Sequence, residues 1–170
     1  MFDSLVLGVD PGTGSVGLAV VERGTVRPTV SWAATLSTPA AASPEERLAR
    51  IHTVVGEALS VHHPEALAVE RLLWGRNTGS AMHVARASGV VMLAAAQAGV
   101  PVFEYAPLEV KMAVTGVGNA SKEQVRKGLS FLLGAAHVPL QPDAADAVAV
   151  ALCHLQQSPL RRLARSGAGR

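Results

Sequence analysis

Between Leu5 and Trp32 the chain carries three runs of aliphatic and β-branched residues, at 5–9, at 16–22 and through Val26, Val30 and Trp32, joined by links of only a few residues. Parallel neighbours need a crossover of a dozen or more residues, so these links force an antiparallel meander. Asp10, Pro11 and Gly12 stop the first run, and Gly24 opens the third. The meander ends before Ser43, where a capping hydroxyl, proline at the first helical position and two glutamates mark a helix start. Leu48, Ile51, Val55 and Leu59 give that helix a buried face, and His62, His63 and Pro64 close it.

From there helices and strands alternate. Residues 66–70 (ALAVE) read as a buried strand, 79–97 as a long helix rich in Ala, Ser and Gly, and 102–105 as a fifth strand. Ser121 caps a helix reaching Leu133, and a last helix starts near Pro142 or Asp143 and runs to about Gln157. The expected architecture is α/β: a five-stranded mixed sheet, antiparallel over its first three strands and then parallel, flanked by helices. At 170 residues and 49% hydrophobic content there is room for one core. We expect a single domain over residues 1–157 and a basic, disordered tail over 158–170, which lacks a sustained apolar face.

The glycines after the first run spell G-x-G-x-x-G at Gly12, Gly14 and Gly17. A dinucleotide fingerprint needs a helix start at that point. The residues that follow, VGLAVVERG, are those of a strand, so the glycines are expected in a hairpin turn. An Asp followed by Gly, Thr and Gly also fits the phosphate hairpin of an actin or sugar-kinase-like ATPase lobe, an alternative that one domain fills only by half.

The carboxylates are more informative. Asp10 and Glu70 each terminate an apolar strand, and sites in α/β sheets gather at strand ends. Asp143 and Asp146 stand three residues apart and project from one face of the last helix near its start, where ionised carboxylates are favoured. A helix cap accounts for Asp143 alone. It does not account for Asp146, inside the apolar run AADAVAVALC, where an unpaired buried acid is costly. Four oxygen donors without His or Cys suit Mg²⁺ or Mn²⁺ rather than zinc. Two such ions about 4 Å apart can activate water and stabilise the leaving oxygen of a phosphodiester.

Charge distribution supports a polyanionic partner. Residues 71–127 hold seven Lys or Arg against three acids, and no acid follows Asp146 while four arginines do. A catalytically silent DNA-binding module is disfavoured, because four acids without metal repel phosphate. Cys153, the one cysteine, lies in an apolar run and fits a reduced, cytoplasmic setting. The start MFDSLVLGVD has no basic region and too short an apolar stretch for a signal or membrane segment. The histidines show no metal-ligand spacing with nearby acids and receive no catalytic role.

GVDPGTGSVGLAVVERG, the long segment from LAVERLLWGRNTGS to VGNASKEQV, and DAADAVAVALCH together resemble the bacterial RuvC-type Holliday-junction resolvases, from about Leu5 to His154. The resemblance implies an RNase H-like fold, a homodimer, Mg²⁺-dependent paired nicking of four-way DNA junctions and a branch-migration complex as partner. By it, Asp10, Glu70, Asp143 and Asp146 match catalytic carboxylates, and Lys111 and Lys122 match residues at the DNA backbone. The family commonly places an aromatic where Leu73 stands; here the aromatic is the adjacent Trp74. Trp74, on a polar loop with Arg76 and Asn77, is a natural stacking group for unpaired bases, and these three are candidate DNA contacts. RNase H-like nucleases of ribosomal RNA precursors share the early Asp and Gly pattern, but the DAADA and NASKEQV segments fit the resolvases better. For the dimer, the helix at 79–97 offers Ala81, Ala85, Ser88 and Gly89, with Met82 and Met92, to a second copy.

Overall fold

The computed structural model describes residues 3–72, 78–134 and 141–167. Its five strands are β1 (Leu5–Asp10), β2 (Ser15–Glu22), β3 (Thr29–Ser37), β4 (Ala66–Glu70) and β5 (Val102–Tyr105). They form one sheet in the order β3-β2-β1-β4-β5. The meander is antiparallel, whereas β4 pairs parallel to β1 and β5 parallel to β4. The expected mixed sheet is thus observed, with β1 at its centre.

Side-chain alternation divides the core into two layers. Leu7, Val9, Leu18, Val20, Leu67 and Val69 face one way, against α1 (Pro44–His62) and α2 (Thr78–Gln97). Val6, Ala19, Val21 and Ala68 face the other, against α3 (Pro107–Thr115), α4 (Lys122–Leu133) and α5 (Pro142–Gly167). The α1 cap is as read from the sequence: Ser43 accepts from the Glu46 N–H while Glu46 accepts from the Ser43 N–H, and His63 closes the helix in the left-handed conformation.

Three expectations are corrected. Gly17, which falls both in the run at 16–22 and among the glycines expected in the hairpin turn, lies inside β2, opposite Asp10, so only its turn assignment is overturned. Helix α3 escapes the periodicity reading because Leu108 and Met112 on it are exposed. Its start is nonetheless marked by Pro107, and Glu109 accepts from the Ala106 N–H at 2.8 Å.

The third correction concerns α5, which continues to Gly167, so the backbone of residues 158–167 is helical rather than an irregular tail. Pro159 reads as a stop because it has no N–H to give the carbonyl four residues back. Here that carbonyl, Leu155 O, accepts from the Arg23 guanidinium, which also donates to Ser158 Oγ (3.3 Å) and, through Nε, to Asp3 O (3.2 Å). Beneath this clamp, buried His154 joins Asp3 (2.9 Å) to the Tyr105 hydroxyl (2.8 Å) and ties the chain start and β5 to α5. Cys153 is buried as expected, its sulfur accepting from Gln157.

Candidate active site

Strand parity places the first two carboxylates together. Asp10 continues the face of Val6 and Gly8, and Glu70 that of Ala66 and Ala68, so both project from adjacent parallel strands toward α5. Both strands end there, and the carboxylates stand where backbone pairing gives way to loops.

Two glycines bring the other pair to them. A Cβ built on Gly8 would overlap the Ala147 carbonyl oxygen, and one on Gly17 would overlap the Asp143 carbonyl oxygen. Because both positions lack a side chain, the α5 backbone lies directly on β1 and β2. That seats Asp143 and Asp146 over the end of β1. Ser15, at the start of β2 on the same face, donates to Asp143 Oδ2 at 2.5 Å and fixes its orientation. Gly8, Gly17 and Ser15 went unremarked as site residues in the sequence. The signal was present: glycines inside apolar strands mark close approach of another backbone.

The electrostatics show four acids held near one another. Burial chiefly, then the fields of Asp146 and Asp143, push the Asp10 carboxyl up to about 6, against an opposing pull from Lys122. Glu70 is pushed up to about 7 by burial, then by Asp10 and Asp146, opposed by Lys111. Asp146 is also raised, by burial first, with Lys122 lowering and Asp143 raising it. Among the described residues no three such groups close into a ligand set as the side chains stand. Like charges repel, and a proton or a bound cation would lower the cost of drawing them together.

Lys111 on α3 and Lys122 at the start of α4 complete the setting. They line, with Glu70, Asp146, Pro107, Val110, Val125 and Ala149, a cleft of about 280 Å³. Lys122 follows Ser121, which caps α4 by accepting from the Gln124 N–H (3.2 Å). Trp74, Arg76 and Asn77 lie outside the described residues, as does Leu73.

Comparison with known proteins shows the family of this chain. The family model described as crossover junction endodeoxyribonuclease RuvC matches residues 6–154. A crossover junction endodeoxyribonuclease RuvC of Moorella thermoacetica is 44% identical over 166 residues, 98% of this chain and 99% of that protein. Among solved structures, Thermus thermophilus RuvC in complex with Holliday junction substrate superposes with a TM-score of 0.84 at 38% identity, covering 94% of this chain and 96% of that one. The yeast mitochondrial Holliday junction resolvase Ydc2 shares the fold, with a TM-score of 0.67 at 12% identity over 95% of this chain and 81% of its own. These matches displace the ATPase-lobe and ribosomal-RNA readings that the residues alone left open. With its carboxylates at the ends of β1 and β4 and on α5 of an RNase H-like sheet, the chain belongs to the RuvC family of crossover junction endodeoxyribonucleases.

Proposed function

We propose that this protein resolves four-way DNA junctions by metal-assisted hydrolysis of one phosphodiester per active site, with Asp10, Glu70, Asp143 and Asp146 as the metal-binding catalytic set. The observation that carries this reading is the convergence of four acids at one end of the central strands, with Asp10 and Glu70 raised to about 6 and about 7, beside two lysines. Acids so raised gain stability from a cation, and the all-oxygen donor set fits Mg²⁺ or Mn²⁺. When bound, two such ions would lower the pKa of the attacking water and neutralise charge on the leaving oxygen.

The remaining work falls to side chains. Ser15 holds Asp143 in one orientation, α5 carries Asp143 and Asp146 as a pair, and the apolar strands leave Asp10 and Glu70 half-buried. Lys111 and Lys122, which line the cleft with Glu70 and Asp146, position the backbone phosphate and carry no base information. Trp74 stacks on bases unpaired at the crossover, with Arg76 and Asn77 beside it on the DNA.

Paired nicking calls for a homodimer. Of the residues expected at the interface, Ala81 and Ser88 are buried and face the protein's own core. The outward stripe of α2 is Met82, Ala85, Gly89, Leu93 and Ala96, with Met82 47% and Leu93 52% exposed, and we assign the two-fold contact to it. A branch-migration complex is the further partner, and the cytoplasm the compartment. Among the described residues no helix is long and apolar enough to cross a membrane.

The test is cleavage of a synthetic four-way junction beside linear duplex, single strands and structured RNA, with Mg²⁺ or chelator, and sedimentation at micromolar concentration. Symmetric nicks in the junction alone, requiring metal, from a dimeric species are expected. Equal cutting of linear duplex, or full activity in chelator, would refute the proposal.

A further inference from the structure

A second cavity, of about 310 Å³, opens at the β1–β2 turn and has no place in the chemistry above. It is lined by Thr13, Ala42, Pro44, Arg47, Leu48, His83 and Arg86. No carboxylate contributes to the lining, while two guanidiniums and an imidazole do. Glu46, nearest in sequence to Arg47, is turned onto the Ser43 N–H at 2.8 Å. Among the described residues neither Arg47 nor Arg86 is part of an ion pair.

The Thr13 and Arg47 sides are held by hydrogen bonds. The Thr13 turn is pinned from below by Thr38, whose hydroxyl donates to Thr13 O at 2.5 Å and whose N–H donates to Gly14 O at 3.0 Å. Arg47 donates to Ala42 O (3.0 Å) and Ala40 O (2.6 Å), which orients its guanidinium and leaves its charge and further N–H donors available. His83 and Arg86 are three residues apart on α2, on one helix face, and both are exposed. The position matters as much as the charge. The cavity sits where β1 turns into β2 and near the starts of α1 and α2, at the same end of the strands as Asp10 and Glu70 but over the opposite face from Lys111 and Lys122. Cations therefore flank the acids on both faces of the sheet.

We propose that this cavity is a second backbone-phosphate site, holding a phosphodiester of the junction DNA away from the one that is cut. The inference rests on the nuclease reading, and it extends the DNA path over the end of the strands to the face carrying α1 and α2. Arg86 and His83 supply donors to the phosphate oxygens from one wall, and the pinned Arg47 supplies a fixed positive field from the other. One phosphate held here adds one released counterion to binding, independent of sequence.

The experiment compares the full-length protein with Arg86→Gln, with the Arg86→Gln/His83→Gln pair, and with Arg27→Gln. Arg27 is an exposed arginine in the β2–β3 connection, at the opposite end of the strands, and controls for net charge alone. Junction affinity is measured by fluorescence anisotropy in Ca²⁺ across a salt series, and circular dichroism checks folding. Arg86→Gln should weaken binding roughly five-fold or more and lower the log–log salt slope by about one, while Arg27→Gln changes neither. Junctions carrying single methylphosphonates then locate the phosphate: one substitution should weaken the wild type and have no further effect on Arg86→Gln. Wild-type affinity and slope in the folded Arg86→Gln and double variants would overturn the inference, as would equal slope losses in Arg27→Gln. Inorganic phosphate at millimolar concentration competing equally with wild type and variants would also count against it. Failure of the wild type to cut or bind the junction overturns the nuclease reading instead, and so separates the two.

Discussion

Replacing Asp10 by asparagine should stabilise the fold at neutral pH while abolishing cleavage. Burial and its acidic neighbours raise the Asp10 carboxyl from an ordinary 3.8 to about 6, so holding it ionised costs the native state free energy that the unfolded chain does not pay. The interval corresponds to about 3 kcal/mol as a ceiling. Part of it is desolvation that the amide also suffers, and water reaching the cleft screens the rest, so about 1–2 kcal/mol should be recovered. For a chain of this size that is a rise in Tm of roughly 3–6 °C.

The sign with pH follows from proton binding. Between 3.8 and about 6 the native protein holds a proton that the unfolded chain has lost, so wild-type stability falls as pH rises through that window. The advantage of Asp10→Asn is therefore absent below about pH 4 and complete above about pH 6. Melting curves in chelator at pH 4, 5 and 8, followed by the same series in Mg²⁺, test this. The cation should stabilise wild type more than the variant. A variant less stable than wild type at pH 8 in chelator, or equally favoured at pH 4, would refute the reasoning.

Cleavage at subsaturating metal should climb as pH rises toward about 7, because Asp10 and Glu70 must shed protons to hold the cation; a flat profile between pH 5.5 and 8 would contradict the raised carboxyls. Gly17→Ala should cost about 1–3 kcal/mol by overpacking α5 against β2 and lower the rate up to about 100-fold by displacing Asp143, read by thermal melts and single-turnover kinetics. Lys122→Ala should weaken cutting of all junction sequences by similar factors and flatten the salt slope by about one. Trp74→Ala, losing roughly 1–3 kcal/mol of stacking, should slow fully paired junctions far more than those already unpaired at the crossover. Equal losses on the two substrates would remove Trp74 from that role.

Much of the fold could be read from local chemistry alone. Short links fixed the meander, and the capping box at Ser43 and the hydroxyl at Ser121 placed two helix starts. Asp10 and Glu70 could each be placed at the end of an apolar strand, and a spacing of three put Asp143 and Asp146 on one helix face, while the parallel register that sets Asp10 and Glu70 on the same side of the sheet came only with packing. These are short-range rules of period and propensity, and they operate before the chain is packed.

What they leave undecided are contacts between distant segments. The pattern of α3 is obscured because Leu108 and Met112 face outward, so packing rather than an apolar stripe defines that helix. A proline inside a helix leaves the carbonyl four residues back without its N–H, yet α5 passes through Pro159 because Arg23, just after β2 and distant in sequence, satisfies that carbonyl. The same holds at the site. The residues alone supplied four acids in two pairs; that the pairs meet depends on Gly8 and Gly17 letting one helix backbone rest on two strands. An absent side chain leaves no local preference to read, and its effect exists only once the other backbone has arrived.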